Sequence, residues 1–469
     1  LRRVRRNLGR PAAISAPETG GLARPDLLAC YDHLRTCITA EPPTGCETVL
    51  GGIVVTRSTP AKPRIFYGWF VVAGTFSVTF VGFGCAYSFS AFVVSLQQDF
   101  AASRGSVSVV FSLAGFFYFG LGVVSGPLAD YWGARRLAVI GMVLTGLGLV
   151  VASVARSLPQ VYAAYGLGVG LGVGCSYVPA VGAVQRWFIR RRGLASGIAV
   201  SGIGVGTLLV PPLAAFLIAA LGWRETYLIL GILSALVGGG MALLIEDDPH
   251  HRGLNPDGAP IESNGEPTRA TGVPVSEAIR SRRFIGLYAA CFICAFGLFV
   301  PFVHLVPYAL DHGLPQSSAV ILLAMIGLGS TAGRFILGGV ADRLGRPLSF
   351  MAMFVGMALA FVIWAFSTEL WALAAFACIF GLFYGGFVAL APAVITDYFG
   401  GRNAGSIIGI LYTSVAIGTL IGPGAAGYAF DLTHSYMLPI LASVAANIIA
   451  AAILAATSKA SRSIGEAPR

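Results

Sequence analysis

Twelve stretches of this 469-residue chain carry apolar side chains almost without interruption, separated by short segments rich in Arg, Gly and Pro. The runs cover about 66–92, 107–129, 136–155, 159–182, 194–220, 223–245, 284–310, 318–340, 347–367, 370–396, 403–429 and 435–457. A helix needs roughly 20 residues to cross about 30 Å of hydrocarbon. The backbone must satisfy its own hydrogen bonds there, so helices are the expected form. The alternation over ~10 residues that marks a membrane barrel is missing. The pattern predicts an all-α membrane protein with twelve transmembrane helices.

The second six runs echo the first six. Gly126-Pro-Leu-Ala-Asp130-Tyr-Trp-Gly133 returns 212 residues later as Gly338-Gly-Val-Ala-Asp342-Arg-Leu-Gly345. Pro179-Ala-Val returns as Pro392-Ala-Val, and Gly206-Thr-Leu-Leu-Val-Pro211 as Gly418-Thr-Leu-Ile-Gly-Pro423. Echoes in register indicate a duplicated six-helix unit, and duplicated halves suit alternating access to a site between them. The expected organisation is two pseudo-symmetric bundles, 64–245 and 284–457. A polar cytoplasmic linker (246–283) joins them and a tail (458–469) follows. Residues 1–63, rich in Arg, Pro, Gly and Thr without periodicity, are expected to be disordered. The opening Leu-Arg-Arg-Val-Arg-Arg precedes no apolar h-region, so it does not read as a signal peptide. The first residue, Leu rather than Met, points to a fragment boundary or a misassigned start.

Charge placement sets the expected orientation. With both termini cytoplasmic, the inner loops hold fourteen arginines and the outer loops only Arg104, Arg156 and Arg224. The positive-inside rule favours that arrangement. It also accounts for the net charge of +10 without nucleic acid. Glycine is dense in the spans. Gly166, Gly170 and Gly174 share one face of the fourth helix, and Gly168 and Gly172 lie about 200° round it. Both stripes predict close helix packing. Cys291 and Cys294 read as small buried residues. Glu246, Asp247 and Asp248 beside His250 and His251 read as a solvated loop rather than a metal site.

Ionisable groups are costly within a bilayer and usually functional. Arg334, in the eighth span, is the one Lys or Arg well inside a span, and no Asp or Glu sits in mid-span. A buried guanidinium with no protein carboxylate predicts an anionic substrate, which Arg holds by two parallel hydrogen bonds. His304 lies between Pro301 and Pro307, which predict a broken helix. It is expected to bind the substrate or the coupled proton. Tyr177 and Tyr384, beside the duplicated Pro179 and Pro392, are further candidate substrate ligands. Asp130 and Asp342, with Arg135, Arg346, Arg190 and Arg191, are candidate cytoplasmic gates, each Asp pairing a loop arginine or capping the next helix. Walker, G-x-S-x-G, H-E-x-x-H and zinc-cluster patterns are missing. The chain is therefore expected to be no enzyme and to carry no cofactor.

The duplicated loops, twelve spans and central linker resemble the major facilitator superfamily over about residues 64–457. Within it the chain looks like the monocarboxylate porters and the oxalate–formate exchangers. The most specific stretch, Trp187-Phe188-Ile-Arg190-Arg191-Arg192-Gly-Leu-Ala195-Ser-Gly197-Ile-Ala199-Val-Ser201-Gly202 and on to Gly206, is similar to that family's lead into its fifth helix. Gly68-Trp69 partly matches its first-helix signature. The resemblance implies transport of small carboxylates, lactate- or pyruvate-like, usually with a proton. It places Arg334 where the family has its substrate-binding arginine. Animal members carry an Asp four residues before that arginine and a Lys in the first helix. This chain has Ser330 at the first position and no such Lys, which leaves His304 or the substrate's own carboxyl to carry the proton. The exchanger's second basic residue, in the eleventh helix, is also missing, and one cation suits a monoanion. The expected protein is a monomeric, multi-pass secondary transporter of the plasma membrane. Its expected partners are a small carboxylate, a proton and membrane lipids. An anion exchanger or a drug-efflux system are the alternatives, and a receptor or scaffold would need a larger polar domain.

Overall fold

Among the described residues of the computed structural model, twelve helices long and apolar enough to cross a membrane follow one another. The structure describes residues 49–50, 53–54, 66–189, 191–258, 272–400 and 403–465, and only the backbone at 49–50, 53–54, Asp130, Arg192, Asp342 and 458–465. The helices are α1 (Gly68–Phe100), α2 (Arg104–Ala129), α3 (Ala134–Ser153), α4 (Leu158–Trp187), α5 (Gly193–Leu221), α6 (Trp223–Ala242), α7 (Arg282–Asp311), α8 (Gln316–Ala341), α9 (Arg346–Ala365), α10 (Leu370–Phe399), α11 (Ala404–Thr433) and α12 (Met437–Thr457). Before them, β1 (Val49–Leu50) pairs antiparallel with β2 (Ile53–Val54), in the register Val49↔Val54. These four residues fall within 1–63, for which disorder is expected. The rest of that expectation, for 1–63, lies outside the described residues.

Helix ends depart from the apolar runs in an instructive way. The first run stops near residue 92, yet α1 continues through Gln97, Gln98 and Asp99 to a left-handed cap at Ala101 (φ 45°). Hydropathy marks where oil ends, whereas caps mark where the helix ends. Ser103 then caps α2, its side chain accepting from the Ser106 amide at 3.2 Å. The duplicated loops turn alike. Gly133 (φ 87°) and Gly345 (φ 90°) adopt a left-handed conformation that a side chain would resist.

Small residues decide which helices meet. A Cβ on Gly170 or Gly174 would collide with α2 backbone at Ala114 or Phe117, while one on Gly168 or Gly172 would collide with Gly148 or Thr145 of α3. The two predicted stripes thus sandwich α4 between α2 and α3, inside one half. The halves meet along other seams. Gly427 of α11 lies against Gly105 of α2, and Gly327 of α8 against Leu208 of α5, each too close for an added Cβ.

Two helices are interrupted at corresponding places. α1 breaks at Ser88, between Gly68–Tyr87 and Phe89–Phe100. α7 breaks at Phe299, with Pro301 in the first turn of its second piece. The break was expected around Pro301 and Pro307. Pro301 supplies it, because Pro is tolerated at a helix start, while Pro307 lies within continuous helix.

Candidate functional site

The two halves leave a small cavity of about 20 Å³ between them, little more than room for one water. Phe83 and Tyr87 of α1, Phe119 of α2 and Tyr177 of α4 face it from the first half. Phe299 of α7, Tyr384 and Phe387 of α10 and Tyr412 of α11 face it from the second. The break at Phe299 places that ring in the wall. A hydrogen bond joins the halves directly here, Tyr87 Oη to Tyr384 Oη at 2.9 Å. Tyr177 stands edge-on to Phe83, with centroids 5.1 Å apart.

Arg334 reaches this cluster from α8. The guanidinium is buried, with 5% of the residue exposed, and its charge acts on the hydroxyls of Tyr384, Tyr177, Tyr87 and Tyr412. Nη1 donates back along its own helix, to the Ser330 carbonyl at 3.1 Å and to Ser330 Oγ at 2.7 Å. Among the described residues, Nε and Nη2 are buried with no hydrogen-bond partner, and no carboxylate pairs with Arg334. Leaving one buried donor unmet costs about 1–3 kcal/mol, more when it is charged. Ser330 holds one side of the guanidinium without cancelling its charge.

Close approach builds this arrangement. A Cβ on Gly333 would lie 1.9 Å from the Leu382 carbonyl oxygen, so glycine lets α8 touch α10 just before Tyr384. A Cβ on Gly204 of α5 would lie 2.2 Å from Thr331 Oγ1 and 3.0 Å from Arg334 Nη1. Glycine there leaves room for the guanidinium at the seam.

His304, expected to bind the substrate or the coupled proton, sits elsewhere. It does not line the cavity. It is buried in a seam at the end of the molecule opposite the linker, with Nε2 2.9 Å from the Pro423 carbonyl and Nδ1 3.2 Å from Tyr436 Oη. The second piece of α7 presents it to α11. Above it, Arg104 of α2 crosses between the halves to Asp311 of α7 by two bonds, at 2.5 and 2.6 Å. Arg104 also donates to Tyr436 Oη at 3.0 Å and lies 4.2 Å from the centre of the Phe430 ring. Asp431 of α11 accepts the backbone amides of Arg104 and Gly105, at 3.1 and 2.8 Å. This seam was missed in the sequence. Its signal was a cation in the first turn of a helix, where the dipole disfavours it and acidic partners are needed.

Among the described residues, ion pairs at the linker end stay within one half. Arg135 pairs with Glu246, which follows α6, and Arg346 of α9 pairs with Asp397 of α10 at 2.7 Å. The amide of Ala134 at the start of α3 is capped by Asp247. Arg191 is exposed. Arg190 and the side chains of Asp130 and Asp342 lie outside the described residues. The Trp187-to-Gly206 stretch packs α4 and α5 on α1. Trp187 donates to the Glu246 carbonyl at 2.8 Å, and a Cβ on Gly206 would lie 2.4 Å from the Phe80 carbonyl oxygen. Cys291 and Cys294 are fully buried, and Cys294 contacts Asn447 of α12 at 3.4 Å.

Known proteins share this pattern. The family profile of the Major Facilitator Superfamily matches residues 75–366 and 321–468. Monocarboxylate transporter 12-B of Danio rerio is 32% identical over 394 residues, 79% of this chain and 82% of its own length. Monocarboxylate transporter 11 of Mus musculus is 31% identical over 82% of this chain and 86% of its own. A bacterial homolog of the human lysosomal transporter Spinster, solved in an inward-facing, unoccupied conformation, superimposes with a TM-score of 0.65 at 18% identity. It covers 84% of this chain and 97% of its own, and this likeness speaks to the fold alone. The chain belongs to the Major Facilitator Superfamily, in its monocarboxylate-transporter branch, and is a multi-pass membrane transporter.

Proposed function

We propose that the protein carries small monocarboxylates across the plasma membrane by alternating access, coupled to a proton. One observation carries this reading: Arg334, a buried cation near the tyrosines that line the cavity between the halves, keeps two donors unmet. A carboxylate supplies two acceptor oxygens and one negative charge, which match those donors in number and sign. Tyr87 and Tyr384 would each turn a hydroxyl from the other onto the bound anion, so binding exchanges one bridge between the halves for another. Tyr177 completes the wall. A single cation matches a monoanion better than a dianion. The names of the relatives point to the same class of cargo. The positive-inside rule puts the linker and both termini in the cytoplasm, so the closed Arg104 seam faces outward.

The test is uptake of radiolabelled C1–C5 carboxylates by the reconstituted protein, with and without a pH gradient. Concentrative uptake driven by an inward proton gradient is expected, with Arg334→Ala reducing it to background at equal membrane abundance. Undiminished uptake by that variant removes the anion clamp. Counterflow at fixed pH with no response to a gradient identifies an exchanger instead.

A further inference from the structure

The hydrogen bonds around His304 have only one consistent set of directions. The Pro423 carbonyl can only accept, so His304 Nε2, 2.9 Å away, carries a hydrogen. Ser108 Oγ, 3.4 Å from Nε2, donates its own hydrogen to the Arg104 carbonyl at 2.7 Å, so it too can only accept from the ring. In a neutral imidazole Nδ1 is then the bare nitrogen. Tyr436 Oη, 3.2 Å away, donates to it, while the same oxygen accepts from Arg104 Nη1 at 3.0 Å. The chain runs one way, Arg104 to Tyr436 to His304 to Pro423. It ties α2 to α7, α11 and the segment before α12.

A proton on Nδ1 reverses the middle link. Two cationic N–H groups would then point at one tyrosine oxygen, and the tyrosine hydrogen would lose its acceptor. The charged and titratable groups around the ring offer little relief. From α2 comes Arg104, of like sign. From α7, Asp311 is engaged by Arg104 and Tyr308 donates to the Ser367 carbonyl. From α11, Asp431 is engaged by the first two amides of α2. Tyr436 is the contact itself.

We propose that His304 Nδ1 is a proton-binding site that latches the outer seam: neutral, it holds α2 against α7 and α11, and protonated, it releases them. This deepens the transport reading and rests on its outward placement of the seam. Acid on the outside would favour the outward-open state, in which a proton-coupled carrier must load. His304 would thus act on the gate, and Arg334 on the cargo.

Ser112 of α2 lies buried beneath the latch, its Oγ 3.2 Å from the Gly424 amide. Ser112→Cys in a cysteine-free background can be labelled on intact cells with a membrane-impermeant thiosulfonate between pH 8 and pH 5. The rate is divided by that of the same protein carrying His304→Gln. Glutamine donates and accepts as neutral histidine does but does not titrate, so the ratio cancels the reagent's own pH dependence. The ratio is expected to rise several-fold on acidification, and Arg104→Ala to label fast at every pH. A ratio that stays flat or falls in acid overturns the latch. Failure of Arg104→Ala to label from outside overturns the placement of the seam, and the latch with it. The readout needs no cargo, so a mistaken substrate class leaves it intact.

Discussion

Two arginines, one in each half, occupy opposite situations. Arg334 sits mid-membrane with one nitrogen bonded to its own helix and two buried donors unanswered. Arg104 sits at a helix start, with two bonds to Asp311, one to Tyr436 and a ring beside it. Fixed partners complete the second, so its job is to hold protein to protein. The first is incomplete by two acceptors, which is what the proposed binding site requires. On the proposed reading, a charge with partners on the opposite half acts as a closure, and a charge lacking them as a binding site.

The sharpest way to break this comparison is to remove each cation and ask what is lost. With Arg334→Ala, affinity for a transported carboxylate is expected to fall by about 100-fold or more, following the ~3–5 kcal/mol cost of unmaking a buried charged contact. With Arg104→Ala, affinity should stay within a few-fold while the rate of the transport cycle drops. Equilibrium binding set beside initial-rate uptake separates the two, and equal affinity losses would erase the distinction. A smaller effect is expected at the seam that makes room for the guanidinium. Gly204→Leu should cut uptake by about tenfold or more, because overpacking costs about 1–3 kcal/mol. Gly338→Leu, with open space around it, should be tolerated, and equal uptake by the two would mean that α5 does not constrain Arg334. The smallest effect belongs to the hydroxyl bridge. Tyr87→Phe should raise the half-saturating substrate concentration by about fivefold, for one net hydrogen bond of ~1 kcal/mol. No change would confine Tyr87 to packing.

Legibility followed the range of the forces involved. The twelve spans were readable because hydropathy accumulates over consecutive residues. The stripes Gly166-Gly170-Gly174 and Gly168-Gly172 were readable because helix geometry alone puts them on separate faces. Arg334 stood out because a cation in oil is conspicuous in any neighbourhood. Tyr384 and Tyr177 were found through the duplicated prolines beside them. Their partner Tyr87 was not singled out, since nothing near it in the chain marks it. Along the chain Arg104 reads as an ordinary outer-loop residue, although its place in the first turn of α2 calls for acidic partners. Those partners, Asp311 and Asp431, are 207 and 327 residues away.

The sequence by itself determined the membrane as solvent, the count of helices, the duplication and the one deeply buried cation. Each follows from local composition or from self-similarity. Only the tertiary structure decided which tyrosines gather round that cation, that His304 belongs to a seam instead of the cavity, and that Arg135 and Arg346 bind within their own halves. Those outcomes depend on which faces of distant helices meet. Close approach at glycines such as Gly204 and Gly333 sets that, and no window along the chain contains both sides of such a contact.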